Sequence, residues 1–238
     1  MSTPNPASVP HIIRVISSMA TKPLLTDLAQ LFMAQAPQFE VQLESVGGVD
    51  AAKRVQAGEA FDCVVLASNA IDSLQAEGLL FKGSRTDLVH SGVAVAVPMG
   101  ASKPDISTEQ TLRQAVLAAA SLGISTGPSG VQLTKLFERW GIAEQIKDRI
   151  VQAKPGVPVG ALLAQGQVAL GFQQLSEMMG VAGIKVLGPL PDEVQITTTF
   201  SGSVAITTSR PEAVREMLAF WASAACIPTK SQHGMEAA

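Results

Sequence analysis

Strand-like and helix-like segments alternate along this chain, and that alternation restricts the fold more than any other feature of the sequence. Ile12 to Ile16 is a β-branched run that ends at Ser17 and Ser18. From Pro23 to Ala36, apolar residues recur at Leu24, Leu28, Leu31, Phe32 and Ala36, a helical period with proline at its start. Val41 to Val46 alternates as a strand and stops at Gly47 and Gly48. Asp50 to Gln56 then reads as a short helix closed by Gly58. Asp62 to Ala67 is almost continuously apolar, the pattern of a parallel strand covered on both faces. A helix from about Ala70 to Glu77 follows, with Gly78 as its stop. This rhythm predicts an α/β fold on a parallel sheet with right-handed crossovers.

Val93 to Val97 opens a second segment of the same kind. A loop rich in Pro, Gly and Ser covers Pro98 to Ser107; a helix covers Glu109 to Ala119, and a short strand Leu122 to Ser125. Ser129 to Trp140 places Leu133, Leu136, Phe137 and Trp140 on one helix face. Val168 to Phe172 reads as another buried strand, Thr197 to Ile206 as a late β-branched strand, and Pro211 to Ala225 as a closing helix. One internal echo links the halves. The stretch from Val55 to Leu66 and the stretch from Leu163 to Phe172 each run from a short helix through Gly-Glu or Gly-Gln into a buried strand.

Composition narrows the functions. The 238 residues are 47% hydrophobic and 16% charged, enough apolar material for a substantial core. The net charge of −3 provides no basic excess to neutralise a phosphate backbone, which argues against nucleic acid as a partner. No apolar run approaches the roughly 18 residues that span a bilayer, so no membrane insertion is expected. Cys63 and Cys226 lie in apolar runs and read as buried thiols, without the spacing of a metal or redox motif. His11, His90 and His233 are scattered, so neither a metal nor another cofactor is implied. Residues 1–10 read as a flexible segment. They contain no basic stretch followed by an apolar one, which predicts a cytoplasmic location for the chain as it stands, and a periplasmic one if a leader once preceded it.

Open α/β sheets bind ligands at the carboxyl ends of their strands. Here those ends carry Ser17 and Ser18, then Gly47 and Gly48, then Ser68 beside Asn69. In the second half they carry Ser125, Thr126, Gly127, Pro128, Ser129 and Gly130, and later Gln173 and Gln174; a further loop runs from Pro155 to Gly160 through Pro158 and Val159. Most of these loops open a helix, where free backbone N–H groups and the positive end of the helix dipole favour an anion. Hydroxyls add donors and glycines allow close approach. The structural alternative is ordinary capping, with Ser129 as an N-cap, Gly127-Pro128 as a turn, and Ser17 or Ser18 as a helix start. Neither a P-loop nor a dinucleotide-binding glycine motif occurs. Among charged residues, Lys22, Lys53 and Arg54 lie near these loops, and the Arg54 guanidinium is suited to clamp a carboxylate. Solvated surface positions are the alternative for all three. Asp62 reads as a turn or packing partner. His90, where the chain passes to its second half, reads as a structural residue or, for a reaction that needs a base, as one candidate beside Asp50 and a carboxylate of the ligand itself.

Taken in order, these segments resemble the molybdate-binding proteins of ABC transporters and the wider class of type II periplasmic solute-binding proteins. The resemblance rests on Arg14 to Ala20, Gly47 to Glu59, Phe61 to Ala67, Ser91 to Pro98 and Ser125 to Gly130, and it spans roughly Ile12 to Met235. It implies two Rossmann-like lobes joined by two crossing strands, with 11–91 and 199–238 in one lobe and 92–198 in the other, closing by a hinge on a small anion. It also implies an ABC transporter permease as a partner. The chain departs from the molybdate pattern at two loops. Gly47 and Gly48 stand where that group presents a serine, and Gln173 stands near the position of its tyrosine; this chain contains no tyrosine. Those changes shift the expected ligand from an oxyanion toward a small organic carboxylate. The same superfamily contains aconitate isomerase, so an isomerase shifting a proton across an unsaturated di- or tricarboxylate is the alternative to simple capture. A sensor domain acting with a partner is a third.

Overall fold

The computed structural model describes residues 10–154 and 156–238. Apart from Pro10, the segment expected to be flexible lies outside the described residues, as does Pro155. The first half runs β1 (His11–Ser18), a single 3-10 turn (Met19–Thr21), α1 (Lys22–Gln35), β2 (Phe39–Val46), α2 (Gly48–Gln56), β3 (Cys63–Ala67) and α3 (Ser68–Ala76). The long β4 (Thr86–Pro98) leads to α4 (Glu109–Ala118), β5 (Leu122–Ile124), α5 (Pro128–Arg139), α6 (Ala143–Ile146) and β6 (Ile150–Gln152). Then come α7 (Val159–Ala164), β7 (Leu170–Gln174), α8 (Leu175–Met178) and β8 (Ile184–Pro189). The chain returns along β9 (Thr197–Val204) and closes with α9 (Pro211–Ala222), α10 (Ile227–Gln232) and β10 (Met235–Ala237).

The strands are hydrogen-bonded in the order β2-β1-β3-β9-β4-β7-β5-β6, with β8 and β10 both paired to β4. In one lobe β1 lies parallel to β2 and β3; in the other β5 lies parallel to β6 and β7. The strands β9 and β4 run antiparallel to these sets and to each other. They are the two crossing strands. The lower part of β4 pairs with β9 and β10, and its upper part with β7 and β8.

Period-two alternation puts each buried strand between two layers of helix. On β3, Cys63, Val65 and Ala67 pack toward α1 and α9, whereas Val64 and Leu66 pack toward α2 and α3. On β4, Val93, Val95 and Val97 face α4 and α5, whereas Ala94 and Ala96 face α7. Leu24, Leu25, Leu28, Ala29 and Phe32 of α1 form the stripe that meets the fully buried Trp221 of α9, whose indole N–H donates to Leu28 O at 3.1 Å. The two cysteines are buried free thiols.

The echo between the halves has a structural counterpart. Both α2 and α7 end two residues before a left-handed glycine, Gly58 at φ +80° and Gly166 at φ +68°, and each feeds a wholly buried strand. The strands correspond too. β3 is flanked by a parallel and an antiparallel neighbour, and so is β7. Several boundaries differ from expectation. The strand anticipated from Val93 begins at Thr86, because its lower part completes the first lobe's sheet. The closing helix stops at Ala222 and gives way to a separate turn, Ala224–Cys226.

Candidate functional site: an inter-lobe cleft

A cavity of about 390 Å³ lies between the lobes, at the carboxyl ends of the parallel strands. The first lobe lines it with Ser18, the turn residues Met19 and Ala20, the start of α2 from Gly47 to Asp50, and Asn69 at the start of α3. The second contributes Ser125, Thr126, Gly127, Pro128 and Ser129 at the start of α5, then Lys154, Gly156, Val157 and Pro158, then Gln173, Gln174 and Glu177. Thr198 and Phe200 of β9 also reach the wall.

The helices that open onto this space begin without side-chain caps, as do most described helices of the chain. The N-caps of α2, α3 and α5 are Gly47, Ala67 and Gly127, and none provides a side-chain hydrogen bond to the first turn. Away from the cleft, α4 carries a complete capping box in which Thr108 and Thr111 satisfy each other's backbone N–H groups. Because the starts of α2, α3 and α5 line the cavity, their first-turn N–H groups are available to an anion there. Two ammonium groups, Lys53 of α2 and Lys154 of the loop before α7, add positive charge from opposite lobes. Neither makes an ion pair among the described residues.

Of the residues expected at the site, Ser18, Gly47, Gly48, Ser125, Thr126, Gly127, Ser129, Pro158 and Gln173 meet in the wall. Five do not. Ser17 is fully buried and its Oγ lies 2.8 Å from Ser45 Oγ on β2, because adjacent residues of a strand point to opposite faces. Ser68 opens α3, but Asn69 takes the place on the wall. Gly130 is a packing residue: a Cβ there would lie 1.9 Å from Ser125 O. The Val159 side chain is buried against the sheet, and its N–H donates to Gln173 Oε1 at 2.7 Å. His90 lies on the crossing strand with Nδ1 3.0 Å from Thr199 Oγ1, outside the cavity wall. Two further expectations are corrected. The N-cap of α5 is Gly127, not Ser129; Ser129 is buried, with Oγ 3.1 Å from Ser125 Oγ. Arg54 clamps the chain's own Glu44 and Glu59 beside the Phe61 ring and presents nothing to the cleft.

The residue that sequence reasoning missed is Glu177. It lies on α8, which leaves β7 directly. Burial pushes its carboxyl up to about 7, and the Gln173 side chain pulls weakly the other way. The helix beneath it is fixed at several points. Ser176 Oγ donates to Ala20 O at 2.9 Å across the cleft, and Met178 is buried in the second lobe. No ion pair reaches Glu177 among the described residues. Nor does any group of three or more His, Cys, Asp or Glu side chains gather to hold a metal among the described residues. No described helix is long and apolar enough to cross a membrane.

Known proteins resemble this arrangement at two levels. The family model described as bacterial extracellular solute-binding protein matches residues 13–236. A protein of Pseudomonas sp named aconitate isomerase is 40% identical over 173 residues, 71% of this chain. That match spans 65% of the relative's length. Among solved structures, the periplasmic molybdate-binding protein of Azotobacter vinelandii superposes with a TM-score of 0.78 over 94% of this chain and 98% of its own, at 18% identity. PEB3 with bound L-phospholactate superposes with a TM-score of 0.74 over 94% of this chain and 99% of its own, at 11% identity. At such identities the superpositions establish the fold.

Proposed function

We propose that the cleft of this chain, which belongs to the bacterial extracellular solute-binding protein family and has the type II periplasmic-binding fold, holds a small unsaturated di- or tricarboxylate and shifts a proton along it, as an isomerase. The observation that carries this reading is the mixed character of the wall. Helix N-termini, amides and two lysines supply donors for more than one carboxylate, while Met19, Val49, Leu66, Val157 and Phe200 supply apolar surface for a carbon skeleton. A tetrahedral oxyanion has no use for such surface, and the cavity falls in the size range of organic ligand sites. The cleft also contains Glu177, a side chain of the kind that can act as the general base an isomerase needs. The 40% identity to a protein named aconitate isomerase agrees with this reading.

The lobe division belongs to the same proposal. Ser91 and Gly92 of β4 lie opposite Thr198 and Thr197 of β9, and we place the hinge at that crossing, with 11–91 and 199–238 on one side and 92–198 on the other. A second reading, capture of a carboxylate without chemistry for a transporter, is favoured by the family itself.

Incubating the protein with cis- and trans-aconitate in deuterated buffer and following both by proton NMR separates the two. Interconversion with deuterium entering the carbon skeleton is the expected result. A ligand-dependent rise in melting temperature with neither exchange nor interconversion leaves capture as the function.

A further inference from the structure

We infer that Glu177 is the group that removes and returns the migrating proton, and that Gln173 is its positioning residue; this rests on the isomerase reading. Among the described residues, two acidic side chains line the cleft, Asp50 and Glu177. Asp50 lies in the first turn of α2, near the positive end of that helix's dipole. Glu177 is likewise in the first turn of its helix, but α8 has four residues where α2 has nine, so the dipole it meets is smaller. It lies on a four-residue helix with no ion-pair partner among the described residues, and its placement is nevertheless tightly determined. Ser176 ties α8 to the turn of the opposite lobe, and the Val159 N–H engages Gln173 Oε1, which leaves the Gln173 amide NH2 free of that contact in the cleft wall it shares with Glu177, whose carboxyl it holds lower than burial alone would.

Near neutral pH a carboxyl titrating at about 7 is present in both forms, as a group that first accepts and then donates a proton requires. The other charged groups facing this space are Asp50 and Lys53 on α2 and Lys154 before α7. The turn Ser18–Ala20 and Thr198 and Phe200 of β9 bring no further charge to the wall.

The step balances without a co-reactant. A substrate methylene lies between a carboxylate and a carbon–carbon double bond. As its C–H bond breaks, an O–H bond forms on Glu177. The released electron pair makes a new double bond to the central carbon, and the old double-bond pair moves to the far carbon and its carboxylate. The Glu177 O–H exchanges its proton with solvent, the far carbon then takes a proton from Glu177, a C–H bond forms, and the side chain is again a carboxylate. Nothing is oxidised or lost. Ammonium groups and helix N–H donors at the carboxylates stabilise the negative charge of the intermediate.

The test uses the full chain and its Glu177→Gln and Gln173→Ala variants, with cis- and trans-aconitate as probes. Melting-temperature shifts read binding, and proton NMR in deuterated buffer reads exchange and interconversion. Glu177→Gln is expected to keep its ligand-induced shift and lose at least about 100-fold in rate. In the wild type kcat/KM rises with pH through an apparent pKa near 7 and then levels, because the base works as its carboxylate. Gln173→Ala moves that midpoint upward, which a merely structural role would not do. If the wild type turns over and Glu177→Gln keeps more than about a tenth of its rate, or if the Gln173→Ala midpoint stays where it was, the assignment fails while the isomerase reading survives. If the wild type binds but turns over neither isomer, both fail.

Discussion

Lys230 is buried to 1% exposure, and its Nζ meets no hydrogen-bond partner among the described residues; Ser223 Oγ one helical stretch earlier is equally unpartnered. Burial draws the Lys230 pKa below the ordinary lysine range, opposed weakly by Cys226. A lysine depressed in the folded state keeps its proton more readily when unfolded, so stability rises with pH across the interval between the folded and unfolded pKa values. Below that interval the full burial penalty applies. Lys230→Met removes the charge and keeps the apolar stem, and is expected to stabilise the fold at pH 7 by on the order of 1–3 kcal/mol. The gain should shrink as the pH approaches 10. Urea unfolding at pH 7 and pH 9.5 checks this, and an equal gain at both would mean that packing alone is responsible. Lys230 and Glu177 share the reason that neither was legible in the sequence. A charged residue in Ile-Pro-Thr-Lys or in Leu-Ser-Glu-Met reads as a helix-surface residue, and only contacts from distant parts of the chain bury it. Ser17 erred the opposite way. A pair of adjacent serines at a strand end gives no sign of which one faces the ligand, and one residue of register exchanges the faces.

At the scale of elements, the contrast between α5 and α4 separates ligand binding from capping. Ser129 is the second residue of α5 and its hydroxyl contacts Ser125 Oγ in the cleft wall, while Gly127 provides the cap. Ser129→Ala is therefore expected to lower the ligand-induced melting shift while costing about 1 kcal/mol or less in the absence of ligand. Thr108→Ala removes the capping box of α4, costs about 1 kcal/mol, and leaves the ligand response untouched. Thermal unfolding of both variants with and without aconitate reads the comparison. A Ser129→Ala protein that loses stability like the Thr108 variant and keeps its full ligand shift would overturn this division of roles. The helix itself was legible, since Leu133, Leu136 and Phe137 repeat at helical spacing, but its start was not. A serine after Gly-Pro carries the composition of a cap whether or not it performs that task. The four-residue α6 and α8 and the three-residue β6 and β10 went unread because a period needs more than one turn, or more than two alternations, to declare itself.

For the molecule as a whole, the parallel sets at β1–β3 and β5–β7 followed from the alternation of elements, but their connection depends on strands that no local pattern distinguishes. β4 reads as a single β-branched strand, yet its two halves belong to different sheets. Gln174 fastens that junction. It is buried, and with its oxygen accepting from Thr198 Oγ1 at 2.9 Å its nitrogen donates to Ser91 O at 3.0 Å and to Ser91 Oγ at 2.9 Å. One amide from β7 thus grips both crossing strands where the hinge is proposed, and it also lines the cleft. A ligand drawing on this residue would alter the geometry of closure directly. Gln174→Ala leaves the partners on β4 and β9 without it, a loss of about 1–3 kcal/mol confined to the crossing. Amide exchange in peptides spanning 90–93 and 197–199 is then expected to quicken by about tenfold or more, while peptides of the α1 core keep their wild-type protection. Ligand affinity should fall with it, because part of the binding energy now goes into ordering a junction that the wild type holds in place. Exchange that accelerates evenly through β1, α1 and α9 as well would report global destabilisation, and the crossing would then have no special part in closure.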